Sequence, residues 1–190
     1  MKFNETIVVE QSEQYVVKKI STRDREALHT FADFYNSAGQ LTWVLTPTRL
    51  LQKIGTKGRL WGLYTKSNNE LVGTIGLKHL VDDSNHDLGE IGYTMVAEGH
   101  RSLPNVMKLF KAALVKAKTF DAVFITTNTK NRTMNKLLDR TPKTDKLFMV
   151  KSPYNGSSNK LFVYAVNTTS SPDRIEILRA YFENYLIQDM

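Results

Sequence analysis

Apolar and polar positions along this chain switch between two spacings, and each switch marks an element. Tyr15-Val16-Val17-Lys18-Lys19-Ile20 has the β-branched content of a strand. After Ser21 the spacing lengthens to three and four residues, bringing Ala27, Leu28, Phe31, Phe34 and Tyr35 to one face of a helix that Asn36-Ser37-Ala38-Gly39 ends. Thr46-Pro47 starts a short helix through Leu50, Leu51 and Ile54, because proline suits the first helical position. These two helices are expected to form a lid or wall. Arg59–Thr65 and Glu70–His79 read as strands joined by the polar loop Lys66-Ser67-Asn68-Asn69. The polar connection Asp82–Asp87 then leads into Glu90–Val96, so three consecutive strands form a meander in one sheet.

The period changes again in Val106–Lys118, where Val106, Leu109, Phe110, Ala113, Leu114 and Ala117 share a helix face with the lysines mostly opposite. Asp121–Thr127, centred on the apolar run Ala122-Val123-Phe124-Ile125, reads as a buried strand. A strand, helix and strand of this length favour a parallel crossover. A helix over Asn131–Arg140 follows, then strands Lys146–Val150 and Leu161–Val166 around the turn-rich Ser152–Asn159. Beyond Thr168-Thr169-Ser170, a last helix is predicted with Ser171 as N-cap, Pro172 in its first turn, and Ile175, Leu178, Phe182, Tyr185 and Leu186 as its apolar side. It is expected to cover the sheet or to meet a partner chain. The fold class is α/β (α+β), with a mixed, mainly antiparallel central sheet flanked by helices. The domain reading is 1–167 as one domain and 168–190 as a C-terminal helical extension.

The segment from Gly89 to Arg140 carries the chemistry. A turn that delivers a strand into a helix N-terminus offers free backbone N–H groups and the positive end of the helix dipole, which suits an anion and suggests a nucleotide-type cofactor. The chain has 190 residues, enough for one well-buried domain, and a formal charge of +7. Lys130, Arg132, Lys136, Arg140, Lys143, Lys146 and Lys151 concentrate that charge against Asp139 and Asp145 alone. The concentration fits either a solvated surface or a polyphosphate or acidic ligand. With no cysteine there is no thiolate nucleophile, thiolate metal site or disulfide framework. His29, His79, His86 and His100 lack paired metal spacing, so no metal is expected. No run is long enough to span a membrane and Met1–Glu10 has no signal-peptide pattern, so a cytoplasmic location is the expectation.

Glu90-Ile91-Gly92-Tyr93 and the asparagine-led segment Asn131–Arg140, set in this order of elements, resemble the GNAT (GCN5-related N-acetyltransferase) superfamily across about residues 15–167. The pattern is closest to the branch of ribosomal-protein N-terminal acetyltransferases, in which a hydrophobic residue commonly stands where Leu138 is found and other members have tyrosine. The resemblance implies a GNAT-like fold and an acetyl-CoA-dependent N-acyltransferase, with acetyl-CoA as co-substrate and direct attack by a primary amine in a ternary complex. Its acceptor would be a small molecule or a protein N-terminus or lysine. Carried onto this sequence, Glu90 is the general base. The backbone of Met95 and Val96 meets the pantetheine arm and acetyl carbonyl. Arg101, Ser102 and the N–H groups of Leu103, Asn105 and Val106 face the pyrophosphate. Asn131 either bonds the pantetheine arm or caps its helix, and Tyr154 serves as general acid. One departure stands out. The family's phosphate loop follows R/Q-x-x-G-x-G/A, whereas Arg101-Ser102-Leu103-Pro104-Asn105-Val106 keeps the arginine and lacks both glycines, which elsewhere let backbone approach the phosphates. The competing expectation is therefore a catalytically inactive GNAT-fold binding or inhibitory module. A nucleic-acid role for the basic surface has no base-reading motif behind it, and homodimerisation stays open.

Overall fold

The computed structural model describes residues 14–38, 44–153, 159–167 and 172–190. Tyr154, Ser171 and the 168–170 link lie outside the described residues. Eight strands form a sheet in the order β1-β2-β3-β4-β5-β7-β6-β8. They are β1 Tyr15–Ile20, β2 Arg59–Thr65, β3 Leu71–Val81, β4 Asp87–Val96, β5 Ala122–Asn128, β6 Thr144–Lys151, β7 Lys160–Val166 and β8 Leu186–Asp189. The helices are α1 Arg25–Ala38, α2 Pro47–Ile54, α3 Leu103–Ala117, α4 Arg132–Asp139 and α5 Arg174–Phe182. β4 and β5 pair in parallel, as the crossover spacing predicts, while β1/β2, β2/β3, β5/β7, β6/β7 and β6/β8 are antiparallel. The sheet is thus mixed and mainly antiparallel. Among the described residues no helix is long and apolar enough to cross a membrane.

The chain divides into two compact units, one of residues 1–79 and 92–116 and one of residues 80–91 and 117–190. In the first, α1 and α2 bury Leu28, Phe31, Leu50 and Ile54 with Ile20 of β1 and Leu60 of β2, forming a wall over these strands. Thr46 caps α2 by accepting from Arg49 N–H at 3.3 Å, with Pro47 at the first position. Gly55 ends it at φ 71°, and a β-carbon there would stand 2.5 Å from His79 O, so this exit admits only glycine. α3 lies close to β3, where a β-carbon on Gly73 would come within 3.2 Å of Leu109 Cδ1.

In the second unit, Leu88, Phe124, Phe148, Val150, Val163 and Ala165 form a core with Ile177, Leu178 and Phe182 of α5. The Phe182 ring meets Phe124 edge-on at 5.1 Å and Phe148 at 5.8 Å. The sequence pattern errs in detail here. The cap position of α5 is Asp173, with no side-chain cap bond, rather than Ser171. Ile177 is buried beside Leu178 and Phe182, whereas Tyr185 and Leu186 leave the helix through a 3-10 turn (Glu183–Tyr185) into the exposed strand β8. That strand breaks the helical spacing: its backbone bonds are satisfied by β6, with Val150 opposite Leu186.

Candidate functional site

In the second unit, Glu90 sits on β4 and is 3% exposed, a burial that carboxylates rarely tolerate without partners. It stands opposite Phe124 in the parallel β4/β5 register, and Thr126 Oγ1 donates to Glu90 Oε1 at 3.1 Å. The ring of Tyr181, from α5, stands 5.9 Å from Phe124. Burial, then the negative charges of Glu90 and Tyr185, push the Tyr181 phenol above its ordinary pKa. Sequence reasoning missed Tyr181. The signal was available, because Ile177, Leu178, Tyr181 and Phe182 make an i, i+1, i+4, i+5 helix face.

Asn131 in the same unit caps α4, its Oδ1 accepting from Met134 N–H at 3.2 Å, which leaves the amide donors for other work. The corner before it is clamped by buried Asn135, whose side-chain amide donates to Asn128 O and Thr129 O, both at 3.2 Å. Thr127 Oγ1 in turn donates to Asn135 Oδ1. At the other end of α4, Tyr164 donates to Asp139 at 3.0 Å; burial and that carboxylate hold its phenol far above the usual tyrosine range.

In the first unit, the end of β4 does not continue as a regular strand. Tyr93 has φ 52°, the left-handed region that a bulky residue enters only under constraint. Its carbonyl accepts from the buried Thr74 hydroxyl at 2.9 Å. Half-buried Met95 and buried Val96 follow, and Val96 O accepts from Arg101 Nε at 3.0 Å. A 3-10 turn over Glu98–His100 then leads into α3, which begins at Leu103, three residues before its apolar spacing becomes visible.

The α3 N-terminus is largely self-satisfied. Ser102 Oγ accepts from Asn105 N–H at 3.3 Å, Ser102 O accepts from Val106 N–H at 3.1 Å, and Pro104 has no donor. Asn105 is buried and donates from its side chain to His100 O at 2.9 Å. Of the expected backbone cradle, the N–H groups of Asn105 and Val106 are therefore already engaged. A diphosphate would be met by Leu103 N–H and the terminal nitrogens of Arg101, a fit through one guanidinium rather than through glycine backbone. His100, beside this turn, shares a bond of 2.9 Å between its Nδ1 and Tyr15 Oη. Both line a pocket of about 520 Å³ with Gln14, Thr65, Lys66 and Ser67, and none of the residues expected from the sequence to bind or react borders it.

The structure thus brings Met95, Val96, Arg101, Ser102, Leu103, Asn105 and Val106 together in one unit, and Glu90 and Asn131 belong to the other. Among the described residues no cluster of side chains could hold a metal ion. In sequence, the chain matches no protein-family profile and no curated protein. In structure it is similar to the NatC complex bound to Gag peptide and CoA, with 14% identity, a TM-score of 0.65, and coverage of 80% of this chain and 98% of that one. Arabidopsis thaliana NAA60 in complex with a bisubstrate analogue is 13% identical with a TM-score of 0.60, covering 83% of this chain and 99% of that one. The ribosomal-protein-S18-alanine N-acetyltransferase from Escherichia coli is 8% identical with a TM-score of 0.61, covering 82% of this chain and 94% of that one. The fold of this chain is that of the GNAT acetyltransferases.

Proposed function

We propose that the protein is an acetyl-CoA-dependent N-acyltransferase that moves an acetyl group to a primary amine by direct attack in a ternary complex. The observation that carries this reading is Glu90, a nearly inaccessible carboxylate on β4 of a GNAT fold that accepts a hydrogen bond from Thr126. Acetyl-CoA supplies an activated thioester carbonyl. Arg101 and Leu103 N–H bind its diphosphate, Asn131 offers its amide to the pantetheine arm, and backbone groups of Met95 and Val96 orient the acetyl carbonyl. Glu90 takes a proton from the acceptor ammonium, directly or through one water. The freed amine then attacks the carbonyl carbon, the C–N bond forms, the C–S bond breaks, and the leaving thiolate takes up a proton. The named acceptors and ligands of the structural neighbours favour the α-amino group of a protein as acceptor.

Glu90→Gln keeps the shape of the side chain and removes the base. Transfer should fall by about 10²- to 10⁴-fold with CoA affinity unchanged. Turnover at the wild-type rate would remove Glu90 from the mechanism. A second reading, a GNAT-fold binding module without catalysis, draws on the engaged donors at the start of α3. Calorimetry separates the two: no heat of binding with acetyl-CoA at about a millimolar would sink the enzyme reading.

A further inference from the structure

α4 and the turn after it carry charge that acyl transfer does not use. Arg132, Lys136 and Arg140 recur every four residues, so they form a row along one side of the helix with a rise of about 6 Å between members. Lys130 and Lys143 flank the row, and all five side chains are exposed. The one carboxylate of this stretch, Asp139, accepts from Tyr164 at 3.0 Å and lies 3.5 Å from Lys146 Nζ. Lys146 is itself held over the Phe162 ring at 3.9 Å. The acid closest to the row in sequence is therefore already engaged by Tyr164 and Lys146. Among the described residues, no ion pair engages Lys130, Arg132, Lys136, Arg140 or Lys143.

The kind of partner follows from what the ridge lacks. An anionic membrane surface or an acidic protein is ordinarily gripped by apolar anchors beside the charges. Here no large hydrophobic side chain between Lys118 and Phe182 is exposed among the described residues. Over the same stretch no aromatic ring of the described residues is exposed to stack on a splayed base; the exposed ring nearest in sequence on the C-terminal side, Tyr185, lies beyond α5. What remains is a straight row of cations at a spacing that matches successive phosphates along a strand. We propose that the α4 ridge binds the phosphodiester backbone of nucleic acid without reading its sequence, a role independent of acyl transfer.

Fluorescence anisotropy with a short labelled RNA hairpin, and with a DNA hairpin of unrelated sequence, tests this on the full chain. Both should bind with a dissociation constant of about 1–100 μM, and three phosphate contacts should give a slope of log K against log salt of about −3. The triple variant R132E/K136E/R140E should weaken binding at least about tenfold at low salt and flatten the slope by about one for each contact removed. The glutamine triple variant keeps the helix formers if charge reversal unfolds α4, and it should flatten the slope likewise. Arg23→Glu with Arg25→Glu, exposed cations of the first unit, should leave binding intact. Three results would overturn the proposal: unchanged binding by both triple variants, equal affinity for polyglutamate, or displacement of RNA mole for mole by CoA. The last would assign these cations to the cofactor's phosphates and leave the acyltransfer reading standing, whereas absence of CoA binding would fail that reading and leave the ridge untouched.

Discussion

Tyr93 holds a backbone conformation that its bulk opposes, at a cost of about 1–3 kcal/mol. Its surroundings over-determine it: the ring lies edge-on to Tyr35 at 5.3 Å and to Phe31 at 6.2 Å, and the Thr74 hydroxyl satisfies its carbonyl. Thr74→Val preserves shape and strips the donor from a fully buried site, so it should destabilise the fold by about 1–3 kcal/mol, and Thr74→Ser should recover much of the loss. Equal urea midpoints for wild type and the valine variant would mean that the Tyr93 carbonyl does not depend on Thr74. Tyr181 gives a second test at this scale. A carboxylate beside a phenol opposes formation of the phenolate, so Glu90→Gln should lower the Tyr181 pKa toward its ordinary value without removing the part due to burial. Ultraviolet difference titration of wild type against the E90Q variant, each compared with its Tyr181→Phe counterpart, isolates that one ring. No shift would separate Glu90 from Tyr181. The place of Glu90 on a strand was legible in the sequence, because the run Glu90–Val96 reads as one. The left-handed Tyr93 was not, since it depends on a hydroxyl nineteen residues away in β3.

Among the elements, α3 shows how a helix can spend the groups that a ligand would use. The Ser102 cap and the missing donor of Pro104 stabilise the helix start and leave less for an anion. Ser102→Gly should cost only a few tenths of a kcal/mol of stability, since glycine is a tolerable N-cap. It should release Asn105 N–H and tighten CoA binding severalfold, measured by calorimetry. A weaker complex would show instead that the Ser102 hydroxyl itself contacts the ligand. The start of α3 was misjudged by three residues for a related reason. Ser102 and Asn105 satisfy backbone groups locally, and apolar spacing is silent about residues that cap rather than pack. Strands with alternation or apolar runs were read within about three residues of their true places because burial itself writes those patterns.

Across the whole molecule, the strand order from β2 to β5 could be anticipated, because a meander and a parallel crossover follow from connection length, whereas the insertion of β7 between β5 and β6 depends on long-range pairing. The C-terminal segment could not, since Leu186-Ile187-Gln188-Asp189 continues the apolar spacing of α5 while its backbone pairs with β6. This divides residues 172–190 into a part that belongs to the core and a part that lies on it. Phe182 is fully buried among Phe124, Phe148 and Tyr181, so Phe182→Ala leaves a cavity bounded by rings already packed edge-on and should cost about 3–5 kcal/mol. Ile187 is 37% exposed on β8, and Ile187→Ala should stay within about 0.5 kcal/mol. Urea unfolding followed by tryptophan-independent circular dichroism distinguishes the cases. If the two variants lose equal stability, the boundary between core helix and surface strand does not fall after Phe182. A large loss confined to F182A means that α5 is as integral to its unit as β5, and that Tyr181 is positioned beside Phe124 by the core itself.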